Sequence, residues 1–238
     1  MPSRRRILVT GASRGIGAAI SRRLLTEGCE VVGIARDFTD WDETEERFMP
    51  IALDLADLDK LPHQLGEIAR LHPAIDGLVL NAGYGRFGSL EEFSYRQIVE
   101  MVNMNLLQHL FVARAFLPHI KQHGFGDLVI IGSEAALAGG RRGAVYSACK
   151  FALRGFAQSL RQETANSGLR VSLINPGMVD TGFFDELEFA PGQEPSQHLR
   201  PSDIADALWT VLSAPAGTVF DEIVLNPLHK VIQFKKRP

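Results

Sequence analysis

The sequence predicts an α/β fold in which one doubly wound, parallel sheet of about seven strands carries helices on both faces. Short apolar runs alternate with longer amphipathic stretches, which is the pattern of β-α-β units. A glycine-rich turn joins the first apolar run to the first amphipathic stretch. The chain has 238 residues, 45% of them hydrophobic and 22% charged, as in an ordinary globular protein. We therefore expect residues 1–238 to form a single domain.

Strands are predicted where apolar runs are short and rich in β-branched residues, and helices where apolar residues recur at helical spacing. The last strand is expected to close the sheet. In chain order, the predicted strands are 7–10, 30–35, 48–54, 77–81, 126–132, 169–175 and 218–225, and the predicted helices are 15–27, 57–71, 94–123, 144–166 and 202–214.

Charge and composition exclude several classes of function. The net charge is −3 and the basic residues are dispersed, so we expect no nucleic-acid partner. The arginines at 4–6 precede an apolar run too short for a signal peptide, and no stretch is long enough to span a bilayer. Cys29 and Cys149 suit a reducing compartment. These observations predict a cytoplasmic protein with a small-molecule substrate and no membrane partner.

The turn between the first strand and the first helix has the glycines that a nucleotide site needs. Gly11, Gly15 and Gly17 allow a tight turn and a close approach of the backbone to a pyrophosphate at the helix N-terminus. An isolated glycine cluster is as common in a plain turn as in a nucleotide site. This cluster, however, lies directly between the first strand and the first helix, which favours the nucleotide site. The candidate cofactor-binding residues in this turn are Gly11, Ser13, Arg14, Gly15, Ile16 and Gly17.

The residues that follow the second strand favour NADP(H) over NAD(H). Many dinucleotide-binding folds carry an acidic residue at this point, which accepts hydrogen bonds from the adenosine ribose. This chain has Ala35 and then Arg36. Arg36 and Arg14 could bind a 2′-phosphate, although surface arginines are common and the acidic Asp37 follows directly. NADP(H) is the expected cofactor.

A serine, a tyrosine and a lysine form the candidate catalytic set. Ser133 ends a strand, Tyr146 follows thirteen positions later, and Lys150 lies four residues beyond it. On a helix, a spacing of four places Tyr146 and Lys150 on one face. A lysine charge about 5 Å from a phenolate stabilises it by roughly 3 kcal/mol at a dielectric of about 20, which predicts a lowered pKa for Tyr146. Each of the three residues, taken alone, is as common at a purely structural position as at a catalytic one. Their occurrence together predicts an acid/base site.

Taken in order, these motifs resemble the NADP-dependent type of the short-chain dehydrogenase/reductase family along nearly the whole chain. Residues 10–17 resemble the family's T-G-x-x-x-G-x-G turn, and residues 176–181 its P-G-x-V-x-T segment. The resemblance implies a Rossmann fold. It also implies an enzyme that interconverts a small-molecule alcohol and the corresponding carbonyl compound by hydride transfer, without a metal. It assigns further cofactor contacts to Asp54, Leu55, Asn81, Ala82, Gly83, Tyr146, Lys150, Pro176, Gly177, Val179 and Thr181.

The resemblance also adds a fourth catalytic residue, Asn105. In the family the asparagine at this position bends a helix and holds a water that connects to the lysine. The plain alternative is an ordinary polar helix residue, and Asn103 is the neighbour that could be mistaken for it. The catalytic set that the sequence predicts is therefore Asn105, Ser133, Tyr146 and Lys150.

Two segments depart from the family pattern. Leu80 replaces the first asparagine of the N-N-A-G motif, a change that we expect to be tolerated. Residues 221–229 replace the D-G-G tail found in many members. This ending is closer to that of the 3-hydroxy acid (serine or allo-threonine) dehydrogenases and broad-specificity carbonyl reductases. The histidine pair at ligand spacing, His119 and His123, is expected at the surface, so no metal site is predicted.

The stretch 182–200 is irregular and is predicted to form a substrate lid, with an apolar wall of phenylalanines. Arg86, Arg141 and Arg142 are candidates for binding a substrate carboxylate, with plain solvent exposure favoured for each. The other pocket candidates are residues 84–90, 134–142 and Met178.

Apolar faces on the predicted helices 94–123 and 144–166 predict a homodimer or homotetramer, unless these faces only cover the sheet of a monomer. Two other functions were weighed. A non-catalytic NADP-binding redox sensor is the main alternative, although such proteins often lack the tyrosine or lysine. An extended-type epimerase or dehydratase fits less well, because its glycines follow a G-x-x-G-x-x-G spacing.

Overall fold

Seven parallel strands form the central sheet of the computed structural model, which describes residues 4–39, 41 and 45–235. The strand order is β3-β2-β1-β4-β5-β6-β8, so the direction of winding reverses between β1 and β4. The strands in this sheet are β1 (Arg6–Thr10), β2 (Glu30–Ala35), β3 (Phe48–Ala52), β4 (Gly77–Leu80), β5 (Gly126–Ile131), β6 (Leu169–Pro176) and β8 (Glu222–Leu225). All carboxyl ends of these parallel strands meet at one edge.

Helices cover both faces of the sheet, as predicted. One apolar cluster joins α2, α4 and α5 to one face, and a second joins α1 and α6 to the other. Neighbouring residues of β1 show the alternation: Leu8 belongs to the first cluster, whereas Ile7 and Val9 belong to the second. The helices are α1 (Gly15–Thr26), α2 (Leu61–Leu71), α3 (Tyr95–Val102), α4 (Gln108–Gln122), α5 (Ala144–Thr164) and α6 (Pro201–Leu212).

Three predicted elements differ from the structure by more than two residues or by an interruption. The helix predicted over 57–71 begins only at Leu61, because the Asp57 carboxylate accepts hydrogen bonds from the backbone and side chain of Lys60 and holds a turn there. The helix predicted over 94–123 is divided into α3 and α4 by a π-helical turn, Asn103–Leu107. The last strand begins at Glu222 rather than 218, since Thr218 is held in a turn by Pro215.

The segment 182–200 contains more order than the sequence predicted. It holds a 3₁₀ turn (Gly182–Phe184) and a short strand, β7 (Phe189–Pro191). β7 pairs in antiparallel fashion with β9 (Ile232–Phe234), close to the C-terminus. The pairing partner is more than 40 residues away, beyond the reach of local sequence patterns. Within the ranges that the structure describes, no helix has the length and apolar character needed to cross a bilayer.

Candidate active site

The glycine-rich turn connects β1 to α1 at the carboxyl edge of the sheet. Gly11 and Gly15 have φ of 68° and 55°, which side-chain-bearing residues rarely adopt. A methyl group on Gly17 would lie 2.0 Å from the Gly11 carbonyl oxygen, so only glycine fits. The Gly11 and Ala12 N–H groups donate to the Ile34 carbonyl, at 2.7 and 3.2 Å. The turn therefore has the bare backbone and the helix N-terminus that a phosphate site requires.

A second predicted segment is joined to this turn through Thr10. The Thr10 hydroxyl accepts hydrogen bonds from the backbone N–H groups of Asn81, at 2.9 Å, and Ala82, at 3.1 Å. The Asn81 amide donates in return to the Thr10 carbonyl at 2.9 Å. Gly83 lies next, and its backbone packs against the Asn105 side chain. Leu80, which replaces the family's asparagine, is fully buried in the core, so the replacement serves packing.

The residues predicted to recognise the adenosine end lie beside the turn. Arg14 is the residue directly before α1, and Arg36 directly follows β2. Both are exposed, and neither forms an ion pair with any residue that the structure describes. Asp54 and Leu55 lie just beyond β3, which ends two residues earlier than predicted. The Asp54 carboxylate accepts a hydrogen bond from the Ala56 N–H, and Leu55 is buried.

The segment that follows β6 approaches the same turn from the other side. Pro176 ends β6, and the Gly177 N–H donates to the Leu225 carbonyl at 2.7 Å. Val179 forms an isolated parallel bridge with Leu199. Thr181 then lies against Gly15, where its methyl carbon is 3.5 Å from the position a Gly15 Cβ would take. The structure thus brings the two ends of the predicted cofactor site together.

The predicted Ser-Tyr-Lys set converges in the interior. Tyr146 and Lys150 lie on one face of α5 and are 7% and 4% exposed, with the Lys150 Nζ 5.6 Å from the centre of the Tyr146 ring. The Lys150 Nζ donates to the Ile131 carbonyl at 3.3 Å. Ser133 follows β5, where its hydroxyl accepts a hydrogen bond from the Ala135 N–H, and it lies near enough to Tyr146 to affect the pKa of the phenol. The three side chains predicted from their spacing therefore form one cluster, in which Tyr146 and Lys150 are buried and Ser133 is half-buried.

Burial reverses the direction of the pKa shift that the sequence predicted for Tyr146. Loss of water contact raises the pKa of the phenol to about 12, against the smaller lowering effect of the nearby Ser133 hydroxyl. Lys150 has its ammonium over the ring face, and burial lowers its pKa to about 8. The direction of the Tyr146 pKa shift is opposite to the predicted lowering, because loss of water contact is its largest cause. The phenol therefore holds its proton at neutral pH.

Asn105 lies in the π-helical turn between α3 and α4 and is fully buried. Its side-chain oxygen accepts a hydrogen bond from the Tyr84 N–H, and its amide donates to the Met101 carbonyl, each at 3.1 Å. A π turn inserts one extra residue into a helix and is frequent at functional sites. Asn103, the alternative, begins the same turn but is only half-buried.

A hydrogen-bonded chain behind Ser133 was not predicted. The Ser133 N–H donates to the Asn175 side-chain oxygen at 3.0 Å, and the Asn175 amide donates to Glu222 Oε1 at 2.5 Å. Glu222 Oε2 accepts from Arg154 on α5, at 2.8 and 3.1 Å. These residues connect β5, β6, β8 and α5. No local sequence pattern could have predicted this series of hydrogen bonds, because its members are far apart in sequence.

The sheet order and the glycine-rich turn at the reversal of winding define a Rossmann-type nucleotide-binding protein. Residues 5–190 match the family profile described as short chain dehydrogenase. The chain belongs to this family, and is therefore an oxidoreductase of the short-chain dehydrogenase type.

Relatives extend the match over nearly the whole chain. Dehydrogenase/reductase SDR family member 11 from Homo sapiens is 31% identical, over 94% of each chain. NADP-dependent 3-hydroxy acid dehydrogenase from Schizosaccharomyces pombe is 28% identical over 94% of this chain and 93% of its own. Among solved structures, an alcohol dehydrogenase from the archaeon Thermococcus sibiricus, complexed with 5-hydroxy-NADP, superposes with a TM-score of 0.84, at 28% identity and 99% coverage of both chains.

Proposed function

We propose that the protein is an NADP(H)-dependent oxidoreductase that interconverts a carbonyl compound and an alcohol, with Tyr146 as its acid/base. The observation that carries this proposal is the cluster of half-buried Ser133 with buried Tyr146 and Lys150 at the carboxyl edge of the sheet. That edge also holds the glycine-rich turn. A proton donor and a nucleotide site next to one another are the two requirements of carbonyl reduction.

The chain's own residues would hold the substrate and move one proton. Ser133, which lies near Tyr146, would hold the substrate oxygen against the phenol. Tyr146 carries its proton at neutral pH, since burial raises its pKa to about 12, and would donate it to the oxygen of the reduced carbonyl. Lys150 would supply the positive charge that favours the resulting phenolate. Asn105 would hold the π turn to which it belongs in place, through its hydrogen bonds to the Tyr84 and Met101 backbone.

The residues around the turn fit a dinucleotide, which when bound would supply the hydride. Gly17 leaves the backbone free for close approach, and Gly15 faces Thr181 across the turn. Arg14 and Arg36 are exposed cations without ion pairs among the described residues, and no carboxylate follows β2 directly. This arrangement supports NADP(H) over NAD(H), because a 2′-phosphate binds two guanidinium groups well. The NADP dependence in the name of the fission-yeast relative points the same way.

The decisive experiment measures NADPH oxidation with a panel of ketones, aldehydes and 3-oxo acids. We expect turnover that falls by a factor of about 10² to 10⁴ in Tyr146→Phe, because the ring remains but the proton donor is lost. Tight NADPH binding without turnover of any substrate would instead favour the redox sensor. If NADPH fails to bind, the proposed cofactor is wrong.

The cofactor preference has its own test. Arg36→Gln and Arg14→Gln should each weaken NADPH binding by about tenfold and leave NADH binding within about twofold, since each removes one charged contact to a phosphate that NADH lacks. Titration calorimetry with both cofactors measures the ratio. An exposed arginine remote from the turn, Arg96 on α3, supplies the matched control as Arg96→Gln. Equal losses for NADPH and NADH would contradict the assignment.

We also propose a homodimer or homotetramer located in the cytoplasm, as the sequence predicts. Exposed apolar side chains support self-association: Tyr95 and Val99 on α3 and Phe151 on α5 are 90%, 56% and 43% exposed. Analytical ultracentrifugation of the whole chain tests the proposal, and a monomer at micromolar concentration would contradict it.

A further inference from the structure

Five aromatic rings form a closed circuit that includes the catalytic phenol. Tyr146 lies 5.3 Å from Phe87 and 6.2 Å from Phe183, measured between ring centres. Phe87 lies 5.1 Å from Phe189, and Phe184 closes the circuit at 5.9 Å from Phe189 and 5.1 Å from Phe183. These five rings are called the aromatic ring set below. Such centre-to-centre distances are those of edge-to-face and tilted packing.

Three separate chain segments contribute to the aromatic ring set. Phe87 belongs to the loop after β4, Tyr146 to α5, and the other three rings to the segment 182–200. Phe184 is buried, while Phe87, Phe183 and Phe189 are half-buried and border the phenol. Phe183 also packs directly on the bare backbone of Gly85, where a Cβ would lie 2.4 Å from its ring. A substrate that reaches the Tyr146 hydroxyl must therefore contact aromatic faces.

The segment 182–200 is held in place rather than left free. β7 pairs with β9, and the Lys235 N–H donates to the Glu188 carbonyl at 2.8 Å. The Lys235 ammonium donates to the Phe184 and Asp185 carbonyls. Since the three phenylalanines lie on an anchored segment, they form a wall of defined shape.

The charges near the aromatic ring set do not suit an anionic substrate. Within the described ranges, Lys150 is the one cation that lies over any of the five rings, and it donates to the Ile131 carbonyl. Arg142 pairs with Glu92 at 3.1 Å and is 46% exposed, so its charge is already matched. Within the described ranges, no cation lies over any of the four phenylalanine rings of the set. A substrate carboxylate packed against those four rings would lose water without a counter-charge in contact.

We infer that the substrate is an uncharged ketone or aldehyde bearing an aryl group, which the aromatic ring set binds beside the Tyr146 hydroxyl. This inference rests on the proposed function and narrows its substrate class. It sets aside the 3-hydroxy acids and amino acids, which carry a carboxylate on the carbon adjacent to the reacting one. It also assigns Phe87, Phe183 and Phe189 as residues that determine specificity.

Four stable ketones separate the effect of the ring from the effect of the charge: methyl 4-acetylbenzoate, 4-acetylbenzoate, methyl levulinate and levulinate. We expect kcat/KM with NADPH to be highest for methyl 4-acetylbenzoate. The kcat/KM for methyl 4-acetylbenzoate should exceed that for methyl levulinate by about 5- to 10-fold, because one aromatic contact stabilises binding by about that factor. Its advantage over 4-acetylbenzoate should be at least about 10-fold, because the acid must lose the hydration of its carboxylate. An acid that reacts as well as its ester overturns the inference.

A variant tests the wall itself. Phe183→Leu keeps an apolar side chain but removes the ring, so KM for methyl 4-acetylbenzoate should rise by about 5- to 10-fold, with the kcat/KM for methyl levulinate unchanged within about twofold. The control is Phe220→Leu, because Phe220 lies in the loop before β8 and is not one of the five rings. Equal losses for the aryl and the aliphatic ketone would contradict a role in specificity.

A binding measurement separates this inference from the proposed reaction. Saturation-transfer NMR can measure methyl 4-acetylbenzoate bound to the NADPH complex of Tyr146→Phe, in which turnover is slowed by a factor of about 10² to 10⁴. Binding that weakens by about 5- to 10-fold in the double variant with Phe183→Leu supports the aryl site even if the wild type reduces none of the four ketones. Absence of binding to the single variant overturns the inference, whatever the turnover of other substrates.

Discussion

Burial shifts the pKa values of three side chains close to the catalytic set. The pKa of Tyr146 rises to about 12 and that of Lys150 falls to about 8, since both lose water contact. His109, on α4, is completely buried, and burial together with the Lys150 charge lowers its pKa to about 3. Neither of its ring nitrogens has a hydrogen-bond partner of good geometry within the described ranges, although the Ala82 backbone opposes the shift in part. His109 is therefore neutral in the folded chain.

This neutral histidine makes folding sensitive to acid. In the unfolded chain the imidazole regains its ordinary pKa of 6.5 and is protonated below that pH. In the folded chain the same imidazole is protonated only below about pH 3. The unfolded state is thus favoured as the pH falls through the range between these two values. Between about pH 7 and about pH 5, wild type should lose about 2 kcal/mol more stability than His109→Leu. Urea denaturation at the two pH values measures the difference.

A substitution at a buried, non-titrating position of α4 provides the control for that measurement. Val112→Ala leaves a cavity and should lower the free energy of unfolding by a similar amount at both pH values. If His109→Leu shows the same pH dependence as wild type, the imidazole is not held neutral by the fold, and the explanation from burial fails.

At the scale of elements, helix α5 is tied to the site twice. It carries Tyr146 and Lys150 directly, and through Arg154 and Glu222 it is hydrogen bonded to Asn175, which holds the Ser133 backbone. These contacts fix the distance between the strand that places Ser133 and the helix that places the phenol. We therefore propose that Glu222 is a positioning residue, which acts on Ser133 through Asn175.

The variant Glu222→Gln tests that assignment. Loss of the charge weakens both the Arg154 and the Asn175 contacts, and the resulting shift of Ser133 against Tyr146 should lower kcat by about 10- to 100-fold. KM for NADPH should change by less than about twofold, because the nucleotide turn lies on other strands. Steady-state kinetics separate the two constants, and Glu222→Asp should recover part of kcat.

The neighbouring residue supplies a matched control. Asp221 also pairs with an arginine of α5, Arg161, at 3.1 Å, but its side chain is 74% exposed and leads to no catalytic group. Asp221→Asn should therefore leave kcat within about twofold of wild type. If the two variants lose kcat equally, the effect reflects only the attachment of β8 to α5, and the positioning role is wrong.

At the scale of the whole molecule, the two edges of the sheet have different tasks. The carboxyl edge gathers the glycine-rich turn and the catalytic cluster. The amino edge is fixed by buried charges: Asp127 at the start of β5 forms a two-bond ion pair with Arg170 of β6, at 2.8 and 3.0 Å, and a further one with Arg5 at 2.8 Å. Arg170 also donates to the Leu212 and Ala214 carbonyls at the end of α6. This network stabilises the fold far from the chemistry.

Removing the central charge should destabilise the molecule without altering its chemistry. Asp127→Asn leaves Arg170, only 7% exposed, without its counter-charge, so the free energy of unfolding should fall by about 3 to 5 kcal/mol. KM values of the folded fraction should stay unchanged. Glu100→Gln, which breaks an exposed pair with Arg96, should cost less than about 1 kcal/mol. Denaturant titration compares them, and equal losses would rule out a special role for the buried pair.

The sequence by itself determined the order of strands and helices, the glycine-rich turn and the spacing of Ser133, Tyr146 and Lys150. These features depend on short-range physics: steric limits on φ, the periodicity of apolar residues and the rise of a helix. The winding rules for parallel sheets then place all strand ends on one edge, which is why residues as distant as Thr10 and Asn81 meet there.

Only the tertiary structure decided the direction of the Tyr146 pKa shift and the hydrogen bonds that connect Ser133 to Arg154 through Asn175 and Glu222. The same is true of the pairing of β7 with β9 and of the aromatic ring set. Each depends on groups far apart in the sequence, or on the exclusion of water from one place. Spacing along a chain reports which side chains share a helix face. It does not report how deeply that face is buried, and at this site burial raises the pKa of Tyr146 because the folded chain removes water from the phenol.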